Sequence, residues 1–350
     1  MTTPREIRQL QDATLCVAPM MAWTDRHCRY LHRLYAPNTL LFTEMVTANA
    51  LLHAHADRLL RYNPEEHPLA LQLGGSEPEA LAAATRLAAA KGFDEINLNV
   101  GCPSDRVQRG RFGACLMKEP VLVAHCIRAM QAVTPIPITV KCRLGVDDHD
   151  SDELLHAFVG TLVDAGLKRL YLHARKAILK GLSPAQNRQV PPLQYNRAYR
   201  VASAFPELEV IINGGITDAS AALQHYGRAD GIMIGRAAYQ HPALIHALDR
   251  LLFGTPEVVS ADEPDPTRIG DRYRLDDLAL QRILNRYRNY MTRELDAGTR
   301  LGDLCRPLHG VFHARPGARH SRRALSDHQR LARNDLSAFD DAVRAVRLAA

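Results

Sequence analysis

The sequence has no long apolar run, and this absence excludes the simplest kind of membrane protein. None of its hydrophobic segments approaches the ~20 residues that a membrane-spanning helix needs. The first residues, Met1 to Arg8, carry charged side chains in place of the apolar segment of a signal peptide. We therefore expect a cytoplasmic protein that has no membrane partner.

Cysteine occurs in no arrangement typical of a disulfide framework or of a zinc site. The seven cysteines are an odd number, and no two of them form a C-x-x-C pair. We expect reduced thiols and no metal site. The chain also lacks a G-x-G-x-x-G loop, so it has no Rossmann dinucleotide-binding motif.

Positive charge, by contrast, is concentrated near the carboxyl terminus. Residues 300–333 contain eight arginines, no lysine and two acids. The net charge of this segment, +6, equals that of the whole chain. A charge run usually marks a solvated helix face. Arginine without lysine favours bidentate contacts to phosphate, and four histidines lie between these arginines. Nucleic acid is therefore a candidate partner.

Eight apolar segments alternate with helical patterns over the first two thirds of the chain. The predicted strands are residues 14–18, 39–44, 68–75, 95–100, 137–143, 169–173, 208–215 and 230–236. Helical spacing is present at residues 25–35, 78–91 and 121–133, and in a segment that ends at Gly166. This alternation favours a (β/α)8 TIM barrel over a doubly wound sheet.

The pattern changes from about residue 248. Residues 256–270 are rich in proline and aspartate, as in a linker, and residues 276–290 have the spacing of a helix with one buried face. The arginine-rich segment follows, and a last helix ends near Leu348. We predict a catalytic barrel over residues 1–247 and a small all-helical domain over residues 248–350.

Polar side chains fall at or just beyond the ends of the predicted strands. They are Gln72, Asn99, Cys102, Lys141, His173, Asn213 and Arg236. The carboxyl ends of barrel strands meet at one mouth, where active sites are built, so we expect these side chains to form one site. Seven independent polar exceptions within a core would be a weaker explanation.

Cys102 stands out because it follows a strand with two asparagines, Asn97 and Asn99, and precedes Pro103. A free cysteine is often only a buried core residue. An unperturbed thiol has a pKa of about 8.5 and is mostly protonated at neutral pH, so it can act as a general acid. No histidine pairs with Cys102 in the local sequence, which favours the acid over a nucleophile.

Two glycine turns follow the seventh and eighth strands, where barrels commonly hold a phosphate. They are Asn213-Gly214-Gly215 and Gly235-Arg236, and the arginine adds positive charge. Lys141 can stabilise the negative charge of a reduced flavin bound at the mouth, or it can form a salt bridge to an acid such as Glu44.

These motifs together resemble the tRNA-dihydrouridine synthases over nearly the whole chain. The matching segments are residues 17–20, 71–75, 95–104, 172–176, 212–215 and 235–236. Residues 180–193 are similar to the substrate loop of the branch of this family that acts on positions 20 and 20a of the tRNA D-loop.

The resemblance implies an FMN enzyme that uses NADPH to reduce the C5–C6 double bond of uridine to 5,6-dihydrouridine. In this reaction hydride passes from flavin N5 to C6, and Cys102 protonates C5. The implied FMN contacts are Pro19, Met20, Met21, Gln72, Lys141, His173, Asn213, Gly214, Gly215, Gly235 and Arg236. The implied tRNA contacts are Asn99, Arg188, Arg319 and Arg322. We expect the protein to act as a monomer.

Three positions depart from the family pattern. Cys142 replaces a threonine, Ala185 replaces a lysine of the substrate loop, and Ser321 replaces a tryptophan between the two carboxyl-terminal arginines. We expect a packing change at Cys142, a weakened tRNA contact at Ala185 and looser helix packing at Ser321.

Two other functions are compatible with parts of the sequence. An FMN barrel acting on a free pyrimidine or enone, such as a dihydroorotate-type dehydrogenase, would explain Cys102 but leave residues 300–333 without a role. A tRNA-binding chaperone with an inactive barrel would explain the arginines alone. The preference between positions 20 and 20a, and between NADPH and NADH, stays open.

Overall fold

Eight parallel strands form the centre of the molecule. The computed structural model describes residues 14–54, 56–254 and 275–346 of the chain. The strands are β1 Thr14–Val17, β2 Leu41–Thr47, β3 Leu69–Gly74, β4 Glu95–Val100, β5 Ile138–Arg143, β6 Arg169–His173, β7 Glu209–Asn213 and β8 Gly231–Ile234. Each strand pairs in parallel with its neighbours, in the order β1-β8-β7-β6-β5-β4-β3-β2.

Backbone hydrogen bonds close this sheet into a ring between its first and last strands. The Val17 N–H donates to the Leu40 carbonyl at 3.0 Å, and the Leu40 N–H donates to the Leu15 carbonyl at 2.9 Å. The predicted TIM barrel is therefore confirmed. The second strand lies slightly later than predicted, because its pairing with β3 continues to Thr47.

Helices surround the barrel and continue beyond it. The first group is α1 Arg26–Tyr35, α2 Ala48–His53, α3 Ala56–Leu59, α4 Pro78–Lys91, α5 Asp105–Arg109, α6 Pro120–Gln131, α7 Asp152–Asp164, α8 Tyr195–Ala204, α9 Ala219–Leu223, α10 Arg236–Gln240 and α11 Ala243–Phe253. The second group is α12 Asp277–Asp296, α13 Leu301–Cys305, α14 Ala318–Leu325, α15 His328–Ala332 and α16 Ser337–Arg344. Short 3-10 helices cover Pro64–Glu66, Gly113–Lys118, Gln186–Arg188 and Arg306–Gly310.

Within these described residues, no helix is both long enough and apolar enough to cross a membrane. The predicted linker at residues 256–270 and the predicted helix end at Leu348 lie outside the described residues. The described part of the carboxyl-terminal segment, residues 275–346, is helical throughout with short turns.

The strands separate two cores because successive side chains on a strand point to opposite faces. Outside the ring, strand residues pack with the helices in one large hydrophobic cluster. Inside the ring, a small apolar cluster consists of Cys16, Ala18, Leu40, Phe42, Ala70, Tyr171, Ile211 and Met233. The rest of the interior is polar, because Glu95, Asn97 and Asn99 of β4 lie on the face opposite Ile96 and Leu98.

The carboxyl-terminal helices pack directly on the barrel. Tyr290 of α12 stacks on Tyr30 of α1, with ring centroids 3.9 Å apart. The 3-10 helix Arg306–Gly310 lies against α10, so closely that a Cβ at Gly310 would be 2.2 Å from the Tyr239 carbonyl. One continuous hydrophobic cluster contains both parts. The predicted boundary after residue 247 falls inside α11, and the division into two domains stays a prediction.

An ion pair joins α12 to α1 beside the stacked tyrosines. Arg26 Nη1 donates to Glu294 Oε1 at 2.7 Å, and Thr299 Oγ1 donates to Glu294 Oε2 at 2.8 Å. Burial alone would raise the pKa of Glu294, but the hydrogen bonds from Arg26 and Thr299 outweigh burial and lower this pKa to about 2. A lowered carboxyl pKa stabilises the fold above the unfolded-state value of about 4.3.

Glu294→Gln should therefore lower the free energy of unfolding at pH 7 by about 1–2 kcal/mol, after allowance for solvent near the pair. Since the stabilisation is lost as Glu294 becomes protonated, the difference from wild type should shrink as the pH falls from about 4.3 toward 2. Urea unfolding at several pH values measures it. Asp340→Asn, which breaks the exposed pair with Arg288, is the control and should cost less than about 0.5 kcal/mol. Equal losses would contradict the prediction.

Candidate active site

A cavity of about 660 Å³ lies at the carboxyl-terminal mouth of the barrel. Its lining includes Cys102, Asn99 and Arg188. It also includes every residue predicted to contact the cofactor, namely Pro19, Met20, Met21, Gln72, Lys141, His173, Asn213, Gly214, Gly215, Gly235 and Arg236. Arg319 and Arg322 do not line the cavity and are exposed on α14. The barrel thus gathers distant sequence motifs around one space.

The loop after β1 forms one wall of the cavity. The Met20 N–H donates to Thr24 Oγ1 at 2.9 Å, which folds the loop back on itself. Met21 is the exposed end of this loop, and 59% of its surface is accessible. Ala22 has a positive φ of 62°, and its N–H donates to Glu44 Oε1. Glu44 thus accepts a hydrogen bond from this loop. Lys141 donates to Asn213 instead of forming the alternative salt bridge to Glu44.

The Gly214–Gly215 turn after β7 forms another part of the cavity wall and has a backbone that only glycine adopts readily. Its φ values are +112° and +71°. A Cβ at Gly214 would lie 2.5 Å from Cδ2 of His173. Tyr195 holds the turn by donating its hydroxyl to the Gly214 carbonyl at 2.6 Å. The turn is therefore fixed in a position that exposes backbone to the cavity.

The cavity is strongly cationic. Its lining contains Lys141, Arg143, Arg188 and Arg236, and it contains no aspartate or glutamate. Burial, together with the charges of Arg143 and Lys141, holds the pKa of His173 well below its ordinary value, so this imidazole is neutral at neutral pH. Such a lining favours an anionic ligand because no acidic side chain in it neutralises these charges.

Lys141 lies beside Asn99 in the register of β4 and β5 and lines the cavity. Its Nζ donates to Asn213 Oδ1 at 3.0 Å, and Asn213 Nδ2 donates to the Met233 carbonyl at 2.7 Å. Burial and then the nearby Arg143 lower the pKa of Lys141 to about 7. A negative charge brought into the cavity would favour the protonated form of Lys141 and raise its pKa.

The backbone at Cys102 is held by the side chain of Asn99. Asn99 Oδ1 accepts hydrogen bonds from the Gly101 N–H at 3.2 Å and from the Cys102 N–H at 3.0 Å. The half-buried Cys102 thiol lies 3.5 Å from Ser104 Oγ. Cys102 is therefore presented at the cavity by a fixed turn at the end of β4.

Sequence reasoning missed Arg143, which joins the Cys102 turn to the loop after β6. Its Nε donates to the Gly101 carbonyl at 3.0 Å, and its Nη1 donates to the carbonyls of Lys176 at 3.1 Å and Asn187 at 2.9 Å. Burial lowers its pKa to about 10. The sequence did hold a signal for this role, because Arg143 ends the same predicted strand that carries Lys141.

The three departures from the family pattern have distinct surroundings. Cys142 is fully buried, and burial raises its pKa to about 12, in keeping with a packing role. Ala185 is exposed beside the 3-10 helix that carries Arg188. Ser321 is fully buried in α14, and its hydroxyl has no hydrogen-bond partner within the described residues.

Half of the arginines in residues 300–333 are engaged within the fold. Salt bridges hold Arg300, Arg306, Arg315 and Arg330. The other four, Arg319, Arg322, Arg323 and Arg333, form no ion pair within the described part of the chain. The arginines at 319, 322 and 323 share α14 and are exposed, so the charge available to a partner is concentrated there.

Fold and site together define an enzyme: a TIM barrel with a cationic cavity at its carboxyl-terminal mouth and a cysteine at the rim. The sequence profile described as "Dihydrouridine synthase (Dus)" matches residues 16–347. The chain therefore belongs to the dihydrouridine synthase family, a family of flavin oxidoreductases.

Proteins from several bacteria are similar in sequence to this chain over most of their length. The tRNA-dihydrouridine(20/20a) synthase of Xanthomonas campestris pv. campestris is 50% identical over 327 residues, which are 93% of this chain and 92% of that protein. The protein of the same name from Escherichia coli (strain K12) is 48% identical over 94% of this chain and 90% of its own. Among solved structures, morphinone reductase is 14% identical with a TM-score of 0.50, covering 77% of this chain and 94% of that one, which shows a shared fold only.

The geometry predicts that Gly214→Ala destabilises the protein more than Gly181→Ala does. Both glycines have a positive φ, but a Cβ at Gly181 would meet nothing within 4 Å. We expect Gly181→Ala to cost about 1–2 kcal/mol from backbone strain alone. Gly214→Ala should cost about 2–4 kcal/mol because the methyl group also displaces His173. Urea unfolding compares the two variants, and equal losses would contradict the clash with His173.

Proposed function

We propose that this protein reduces the C5–C6 double bond of uridine to 5,6-dihydrouridine at positions 20 and 20a of the tRNA D-loop, with FMN as its flavin and NADPH as its reductant. The names of its relatives support the substrate and the positions. The observation that carries the proposal is the cavity lined by three arginines, by Lys141 and by no acid, with Cys102 at its edge.

The residues present fit a flavin mononucleotide. The cavity of about 660 Å³ is within the range of small-ligand sites, about 300–1,000 Å³. The turns at Gly214–Gly215 and Gly235 offer backbone for close approach to a phosphate, and Arg236 adds charge beside them. Gln72 and Lys141 supply a hydrogen-bonding amide and a cation for the polar edge of a flavin ring. Bound FMN, reduced by NADPH, would supply the hydride to C6 of the uracil.

Cys102 supplies the proton in this reaction. Addition of hydride at C6 leaves negative charge at C5, and transfer of the thiol proton to C5 completes the saturated base. Asn99 holds the Cys102 backbone through two hydrogen bonds, which fixes where the thiol meets the base. Asn99 lines the same cavity and would lie against the uracil edge.

The helices of residues 248–350 would bind the tRNA backbone as a second domain. A uridine in folded RNA must be unstacked before it can enter the cavity, at a cost of a few kcal/mol. Phosphate contacts can offset that cost. The helix Arg306–Gly310 packs on α10, and Arg236 and Gln240 of α10 line the cavity. The exposed arginines of α14 therefore belong to a segment docked beside the mouth, and Arg188 is exposed at the rim.

We propose that one protomer carries out the whole reaction in the cytoplasm, where tRNA is found.

Anaerobic spectroscopy of the purified protein tests the proposal. A yellow protein should be bleached by NADPH and should regain its colour when unmodified tRNA is added. Recovery with free uracil or orotate would instead indicate an enzyme of small pyrimidines. A colourless protein that only shifts tRNA on a gel would indicate a tRNA-binding chaperone.

In the same assay, Cys102→Ala should retain FMN and tRNA binding while reoxidation by tRNA slows by about 10²–10⁴-fold, the usual contribution of a general acid. Cys115→Ala is the matched control, since Cys115 is also a half-exposed cysteine but does not line the cavity. Its reoxidation rate should equal that of wild type. Unchanged turnover in Cys102→Ala would reject the acid role.

Loss of one phosphate contact should weaken tRNA binding and its salt dependence together. Arg319→Ala and Arg322→Ala should each reduce the slope of log Kd against log salt by about one. Arg86→Ala removes an exposed arginine from α4 and should leave the slope unchanged. A salt-independent Kd for the wild-type protein would remove these arginines from the binding surface.

A further inference from the structure

A chain of hydrogen bonds runs through the barrel interior and ends at the backbone of Cys102. It starts at Glu95, a carboxylate at the amino-terminal end of β4 that is 2% exposed. Thr139 Oγ1 donates to Glu95 Oε1 at 2.6 Å, and Asn97 Nδ2 donates to Thr139 Oγ1 at 2.8 Å. Gln72 Nε2 then donates to Asn97 Oδ1 at 2.8 Å.

The chain continues to the cavity in the same sense. Asn99 Nδ2 donates to Gln72 Oε1 at 2.9 Å, and Asn99 Oδ1 accepts from the N–H groups of Gly101 and Cys102. Gln72 and Asn99 line the cavity. Every link therefore donates toward Glu95, and every amide in between uses its oxygen on the side nearer to Cys102.

The Glu95 carboxylate at one end and the backbone N–H donors of Gly101 and Cys102 at the other end both require this direction. Arg169 Nη1 donates to Glu95 Oε2 at 2.8 Å, and the Tyr171 hydroxyl donates to the same oxygen at 2.9 Å. Burial raises the pKa of Glu95, whereas the Arg169 charge and the hydrogen bonds from Thr139 and Tyr171 favour its ionised form. An ionised carboxylate only accepts, so the one proton of Thr139 must point to it. Thr139 can then only accept from Asn97, and each following amide is oriented in turn.

We propose that Glu95, Asn97 and Thr139 are positioning residues that orient the amides of Gln72 and Asn99 and thereby hold the Cys102 turn. Without the Thr139 hydroxyl, the Asn97 amide has no fixed acceptor, and the order of the following amides is no longer imposed. A reversed Asn99 amide would place its NH2 against two backbone N–H donors and release the turn. The part of this inference that concerns the reaction rate rests on the proposed function.

Hydrogen–deuterium exchange tests the positioning role without flavin or tRNA. In Thr139→Val, the Gly101 and Cys102 amides should exchange about tenfold faster or more, because their acceptor is no longer fixed. Thr139→Ser keeps the hydroxyl and should restore slow exchange. Thr39→Val is the matched control, since Thr39 is also fully buried and donates its hydroxyl to a different buried carboxylate, Asp249, at 2.9 Å. Unchanged exchange at both amides in Thr139→Val, or an equal increase in Thr39→Val, would overturn the proposal.

Rapid-mixing kinetics then tests whether this chain of hydrogen bonds affects the reaction rate. Thr139→Val should be reoxidised by tRNA about tenfold more slowly or worse, as expected for a misplaced reacting group, and this loss should exceed any slowing of flavin reduction by NADPH that follows from the disturbed Gln72 amide. Faster amide exchange with unchanged reoxidation would overturn the catalytic part and leave the proposed function intact. A wild-type protein that tRNA never reoxidises would overturn the proposed function, and the exchange result would still decide the positioning role.

Asn97→Leu provides a second test should Thr139→Val not yield folded protein. It keeps a similar volume but removes both the donor to Thr139 and the acceptor of Gln72, so the Gln72 amide loses its fixed partner on this side. The same faster exchange at the Gly101 and Cys102 amides is expected. Exchange equal to that of wild type would contradict the proposal.

Discussion

Closure of the parallel ring is the constraint on which the rest of the structure depends. The hydrogen bonds that join Leu40 to Leu15 and Val17 turn an eight-stranded sheet into a barrel. In a closed parallel barrel, every strand delivers its carboxyl end to the same rim. Residues as distant in sequence as Met20, Cys102 and Arg236 therefore line one cavity.

That cavity is electrostatically costly in the absence of an anion. Burial lowers the pKa of Lys141 to about 7 and that of Arg143 to about 10, and it keeps His173 neutral. Such shifts mean that the protein disfavours the charged forms. Strongly shifted groups collect at functional sites, where a ligand supplies the missing counter-charge. A phosphate group, or a ring that carries negative charge, would supply this counter-charge to the basic side chains of the cavity.

The barrel interior is divided between packing and orientation. One part is the apolar cluster around Cys16, Phe42 and Met233, and the other is the line of amides and hydroxyls from Glu95 to Asn99. Buried polar groups are costly unless each is paired, and here every amide in the line has both a donor and an acceptor partner. The polar part therefore fixes the orientation of the amide side chains, whereas the apolar part stabilises the barrel by burying apolar surface.

The sequence by itself determined the strand pattern, the barrel and the cavity-lining motifs, because side-chain alternation and glycine turns are local signals. It could not show that the polar face of β4 lies inside the barrel, since alternation separates two faces without saying what covers each. Nor could it reveal Arg143, whose partners Gly101, Lys176 and Asn187 come from two other loops. The pairs of Arg300 with Asp303 and of Arg330 with Asp327 follow from i,i+3 spacing, but the bonds of Arg306 to Asp25 and of Arg315 to Asp277 were decided by tertiary packing, because they join positions far apart in the chain.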